Sequence, residues 1–199
     1  MFEIFQKGGP LMYPILFCSV LAFAIFLERL WSFRKFQQKN QDMLNEVDPL
    51  ISDDKLEQAS VACQRFGNPL SRVYVTAIRL AGRSREQIKA VVEETGSREI
   101  AALERYLGLL GTIATITPLL GLLGTVLGMI RAFTVISVQG VGTPATLGGG
   151  ISEALITTAA GLTVAIPTIL LHKYLTGRLD RISLDLEVKA LKVVDRLGS

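Results

Sequence analysis

The chain of 199 residues has one histidine, two cysteines and one tryptophan, and only 7% of it is aromatic. A single histidine cannot build most metal centres. There is no HExxH, no GxxxxGK[ST] and no GxGxxG following a strand, so the common metal-hydrolytic and nucleotide-binding signatures are missing. Cys18 lies in an apolar stretch and Cys63 in a polar one, without CxxC or Cys/His spacing, which excludes a disulfide framework and a zinc site. The basic excess is slight, 21 Lys+Arg against 18 Asp+Glu for a net +3. These cations are scattered among acids and beside apolar segments, which points to membrane topology and away from nucleic acid. No enzyme activity, cofactor or metal is expected.

The most telling absence is local. Gly8 to Leu27, Tyr106 to Ile130 and Ala154 to Leu171 contain no charged residue. About 18 or more such residues suffice to cross the hydrocarbon core as a helix. Three crossings in one short chain exclude a soluble fold. Nothing reads as a strand, so the expected class is an all-α integral membrane protein with three transmembrane helices. Ala22-Phe23-Ala24 resembles a signal-peptidase site. However, the apolar run continues through Leu27 and Glu3 spoils a basic leader, so the first segment is read as a retained span.

The expected order is a periplasmic N-terminus (1–9), a first span (10–31) and a cytoplasmic helical region (32–105). A second span (106–138), a periplasmic loop (139–150), a third span (151–172) and a cytoplasmic helical tail (173–199) follow. Arg29, Arg34, Lys35 and Lys39 follow the first span and Lys173, Arg178 and Arg181 the third. The positive-inside rule therefore puts both regions in the cytoplasm. Asp48-Pro49, Gly67-Asn68-Pro69 and Ala81-Gly82 read as breaks between helices. Ser84 to Gln87 resembles a capping box opening a helix that runs into the second span. Leu175, Leu179, Ile182, Leu186, Val193 and Leu197 form a helical stripe, so the third span should continue into the cytoplasm and pack on a neighbour. Spans two and three are thus expected to extend into a cytoplasmic helical bundle.

The second span is rich in small residues. Thr117, Gly121, Gly124 and Gly128 share one face, and Gly124-x-x-x-Gly128 permits close backbone approach. Pro118 removes a backbone hydrogen bond, as Pro167 does in the third span. Gly161 adds a small residue to the third span. The threonines have two open readings: hydroxyls bonded to their own helix, or hydroxyls lining a polar path. Glu153 also has two. It faces a bundle interior as an intramembrane carboxylate, or it caps a helix N-terminus at the interface. Thr157 lies on its face at i+4 and Thr158 about 140° away at i+5. Arg131 is an interfacial anchor or the partner of Glu153, and His172 is interfacial surface or a proton relay. Three spans without an inverted repeat enclose no path alone, so a homo-oligomer is expected.

Gly121-Leu-Leu-Gly-Thr-Val-Leu-Gly128 followed by Ile151-Ser-Glu-Ala-Leu-Ile-Thr-Thr-Ala-Ala-Gly-Leu162 resembles the MotA/TolQ/ExbB proton-channel family, nearest to ExbB and TolQ. Glu28-Arg29-Leu30 and Ala165-Ile-Pro167 are similar to that family too. The resemblance implies a homo-oligomeric, pentameric ring in the bacterial inner membrane. The ring surrounds ExbD- or TolR-like single-span subunits and is coupled indirectly to a TonB- or TolA-like protein. It implies pore and proton-path roles for Thr125, Glu153 and Thr158, which Thr157 joins as the neighbour of Glu153. Gly121, Gly124, Gly128, Gly161, Pro118 and Pro167 are left as packing residues. Arg131 departs from the family, where a neutral polar residue is expected. A non-conducting membrane scaffold and a MotA-like sodium-driven stator are the alternatives.

Overall fold

The computed structural model describes residues 2–139 and 144–198. Every regular element among them is a helix: α1 (Phe2–Lys7), α2 (Met12–Ser52), α3 (Leu56–Phe66), α4 (Pro69–Arg79), α5 (Arg85–Gln139) and α6 (Pro144–Leu197). Three of these, within Met12–Ser52, Arg85–Ser137 and Gly148–Leu197, are long and apolar enough to cross a membrane. The chain is a multi-pass integral membrane protein.

The residues form two compact units, to which α2, α5 and α6 all contribute. The membrane unit comprises Met1–Leu27 and Leu107–Tyr174, and the polar unit Glu28–Tyr106 and Leu175–Ser199. The surface of the membrane unit is apolar, with Phe17, Leu119, Leu122, Phe133, Leu155 and Leu170 all exposed. An apolar surface of this extent suits lipid or a partner helix better than water.

The polar unit has a conventional core. Phe33, Met43 and Val47 of α2 are buried with Leu70 and Val73 of α4, Ile88 and Val92 of α5, and Leu175, Val193 and Val194 of α6. Leu179, Ile182 and Leu186 of the expected α6 stripe are buried as well, whereas Val91 of α5 is exposed. The turn before α4 has a local cause. Gly67 ends α3 in the left-handed conformation at φ 57°, a cost-free position for glycine. Asn68 then caps α4 by accepting a bond from the Ser71 N–H at 2.7 Å, and Pro69 takes the first turn, where its missing N–H costs nothing.

Ion pairs cross the outside of this core. Arg72 binds Glu99 through two bonds of 2.6 and 2.5 Å, and that hydrogen bonding raises the guanidinium's proton affinity further. Arg65 meets Glu46 at 2.8 Å and Arg85 meets Asp195 at 2.8 Å. Arg29 is buried, donates to both oxygens of Glu28 and to the Leu103 carbonyl, and lies 4.6 Å over the Tyr106 ring. Both cysteines are free. Burial pushes the Cys63 thiol up to about 12, helped by Asp48 and Glu46, so it stays protonated and unreactive at neutral pH.

Two boundaries differ from the sequence reading. α2 does not break at Asp48-Pro49 but continues through Pro49 to Ser52. The proline lies in the last turn, where only one backbone bond is lost before the helix ends. Residues 148–150, expected in a loop, are helical because α6 begins at Pro144. Of the rest of that expected loop, residue 139 ends α5, 144–147 are helical and 140–143 lie outside the described residues. The expected periplasmic segment 1–9 contains α1.

Candidate functional site

In the membrane unit, α5 and α6 meet along backbones. A Cβ built on Gly161 would lie 2.9 Å from the Thr117 carbonyl oxygen, and one on Gly121 would lie 3.1 Å from the Thr158 Cα. At Gly124 the obstacle is the Thr157 methyl at 2.5 Å, and at Gly128 the Gly150 carbonyl oxygen at 2.7 Å. Lipid tails are as apolar as leucine, so helices in a bilayer associate by such close contact and by hydrogen bonds. The small residues of α5 thus face α6 of the same chain. Both helices continue through their prolines, Pro118 and Pro167.

The polar groups of this seam are paired. Thr158 donates across it to the Gly121 carbonyl at 2.8 Å. Thr117 is fully buried and donates to Ile113 of its own helix at 2.7 Å. Thr157 is 1% exposed, and its hydroxyl reaches two acceptors: the Glu153 carbonyl at 2.8 Å and the Gly8 carbonyl at 2.6 Å.

Glu153 sits at one end of this seam with its side chain 23% exposed. Arg131 of α5 approaches it, Nη1 lying 2.5 Å from Oε1. Of the two readings of Arg131, the geometry selects the partner of Glu153. A bare carboxylate in a membrane segment is costly, and pairing with a cation on the facing helix offsets that cost. Sequence reasoning missed the third participant, the turn Gly8-Gly9. Gly9 has φ +71°, and a Cβ added there would fall onto the Glu153 carboxylate. The Gly-Gly-Pro triplet was the available signal, but its partner can only be seen in three dimensions.

Glu153, Thr157 and Thr158 therefore lie together on the seam, and Thr125 is set apart. Its hydroxyl donates to Leu122 of its own helix at 2.5 Å, and it lines an open apolar groove with Val126, Met129 and Phe133. His172 lies against Gly111, whose added Cβ would be 3.1 Å from Nε2. Among the described residues no group of three or more His, Cys, Asp or Glu side chains is placed to hold a metal ion.

Residues 65–188 match the model of the MotA/TolQ/ExbB proton channel family. The chain belongs to this family. An ExbB-like biopolymer transport protein of Synechocystis is 34% identical over 167 residues, covering 83% of this chain and 80% of the relative. The Tol-Pal system protein TolQ of Haemophilus influenzae is 40% identical over 162 residues, 80% of this chain and 68% of its own length. The biopolymer transport protein ExbB of Salmonella typhimurium is 30% identical over 172 residues, 81% and 69% respectively. Within the MotA/TolQ/ExbB family the chain is nearest to ExbB and TolQ. Its matched region contains the seam, Arg131 and Glu153.

Proposed function

We propose that this chain is the wall-forming subunit of a bacterial inner-membrane motor driven by proton-motive force. Copies of it assemble into a homo-oligomer, five by resemblance to the family, with the N-terminus periplasmic and the C-terminus cytoplasmic. α5 and α6 extend from the membrane into a cytoplasmic helical bundle. The partner is an ExbD/TolR-like single-span subunit, and a TonB/TolA-like protein receives the work.

The carrying observation is Glu153, an ionisable group on a membrane-spanning helix that faces another helix and is paired with Arg131. Such residues mark ion pathways by default. The match to a proton channel family supports a proton as the coupling ion. Thr125 keeps its pore role by resemblance to the family; its hydroxyl is bonded within α5 and its side chain lines an open groove.

Glu153→Gln tests the reading, because glutamine keeps the shape and removes titration. The variant should assemble to the wild-type mass in mild detergent, while proton-coupled activity with the single-span partner falls by about tenfold or more. Full activity would leave Glu153 only a structural ion-pair partner of Arg131, since α6 begins at Pro144 and places it beyond the first turn, where a cap would act.

A further inference from the structure

The proposed function uses Glu153 but leaves its cover unexplained. The chain enters α2 through Gly8, Gly9 and Pro10, and this turn lies directly on the carboxylate. A Cβ on Gly9 would be 2.8 Å from the Glu153 Cδ and would overlap Oε1. The Gly8 carbonyl takes the Thr157 hydroxyl at 2.6 Å. Between the turn and the Arg131–Glu153 pair lies a cavity of about 10 Å³, lined by Gly8, Leu11, Leu127, Arg131, Glu153 and Thr157 among others. That is the least volume that admits one water molecule. A buried water needs two to four polar partners. The Glu153 carboxylate, the Arg131 guanidinium, the Thr157 hydroxyl and the Gly8 carbonyl supply them.

The cover can also lift without stranding a donor. A hydroxyl has one hydrogen to give. Thr157 has two acceptors in reach, Gly8 and Glu153 of its own helix. When the turn moves away, the hydroxyl remains bonded within α6, and the Gly8 carbonyl passes to water.

Resting on the proton-conducting reading above, we infer that the Gly8–Gly9 turn is a gate on Glu153 and that the cavity binds one water as the last carrier of the proton. With the turn closed, the carboxylate is partly covered and paired with Arg131. With the turn open, a proton from solvent reaches the cavity water. That water passes a proton to a Glu153 oxygen and is left neutral. One O–H bond forms on the carboxyl group and one breaks on the protonated water, and the uncharged acid no longer holds Arg131. Arg131 and Glu153 are the charged residues lining the cavity. Arg131 and Thr157 are positioning residues, and Gly9 permits closure by having no side chain.

The experiment uses the full chain assembled with its single-span partner in liposomes, as wild type, Gly9→Ala and Gly9→Asn. Asparagine tolerates the left-handed backbone, so it preserves the turn while its Cβ still meets Glu153. Two rates are measured. The first is the reaction of Glu153 with a water-soluble carbodiimide and a glycine ester, read by mass spectrometry. The second is proton influx under an imposed pH gradient, read with an entrapped dye. Both should rise together in the variants, by about 2- to 10-fold, the change in open fraction that one neutral hydrogen bond controls. Unchanged labelling in both variants overturns the gate. Faster labelling with unchanged influx also overturns it and leaves the conducting reading standing. Faster labelling with no influx in any of the three proteins overturns the conducting reading, and the gate with it.

Discussion

In the polar unit the helices meet through large side chains, Phe33, Met43, Leu70, Ile88 and Leu175 filling the space between them. In the membrane unit they meet through backbones, with Gly121, Gly124, Gly128 and Gly161 letting carbonyls and Cα atoms touch. The difference follows from solvent. Water drives the first unit to bury apolar area, at about 25 cal/mol per Å². Lipid gives no such reward, so the second relies on contact distance and on hydroxyls that find backbone acceptors across the seam. One unit should therefore be sensitive to atoms removed and the other to atoms added.

Removing atoms from the polar unit gives the largest expected effect. Ile88→Ala deletes a fully buried side chain of α5 and should destabilise by about 2 to 5 kcal/mol through lost transfer energy and the cavity left behind. A clear fall in melting temperature in detergent checks this, and an unchanged transition would mean that the polar unit is not held by its core. Adding one methyl to the seam comes next. Gly161→Ala puts a Cβ 2.9 Å from the Thr117 carbonyl and 3.0 Å from the Gly121 Cα. Both neighbours are backbone and cannot rotate away, so the cost should be about 1 to 3 kcal/mol. A variant as heat-stable as wild type would show the seam to be looser than its distances. The smallest effect has the opposite sign. Gly177 lies in the polar part of α6 with nothing within 4 Å of an added Cβ. Gly177→Ala should stabilise by about 0.4 to 1 kcal/mol by restricting the unfolded chain. Destabilisation measured in the assembled protein would show that a second copy covers that position.

The same contrast explains what could be read in advance. The three spans were legible because hydrophobic length is a local property, and so was the turn at Gly67-Asn68-Pro69, each residue of which has its own backbone role. The glycines at 148–150 misled because glycine serves two purposes. Gly150 is needed for approach to the Gly128 carbonyl, 2.8 Å from where its Cβ would lie, and not for a turn. On α6 the shared face of Glu153 and Thr157 was legible from their spacing of four. The Gly8 partner of Thr157 was not, since it is 149 positions away in sequence. Arg131 had two readings because only the folded seam decides whether its side chain turns toward α6 or toward the interface.

The pairing of Arg131 with Glu153 has an electrical consequence. A bound pair of opposite charges has no net charge, so a transmembrane voltage does almost no work on it as the helices shift. Protonation of the carboxyl group changes that at once, leaving a single positive charge on Arg131. A full unit charge crossing the membrane exchanges about 2.3 kcal/mol per 100 mV with the field. Even a partial displacement of Arg131 is then coupled to the potential. The same contact that makes a half-buried carboxylate tolerable would also decide when, in the proposed cycle, the protein feels voltage.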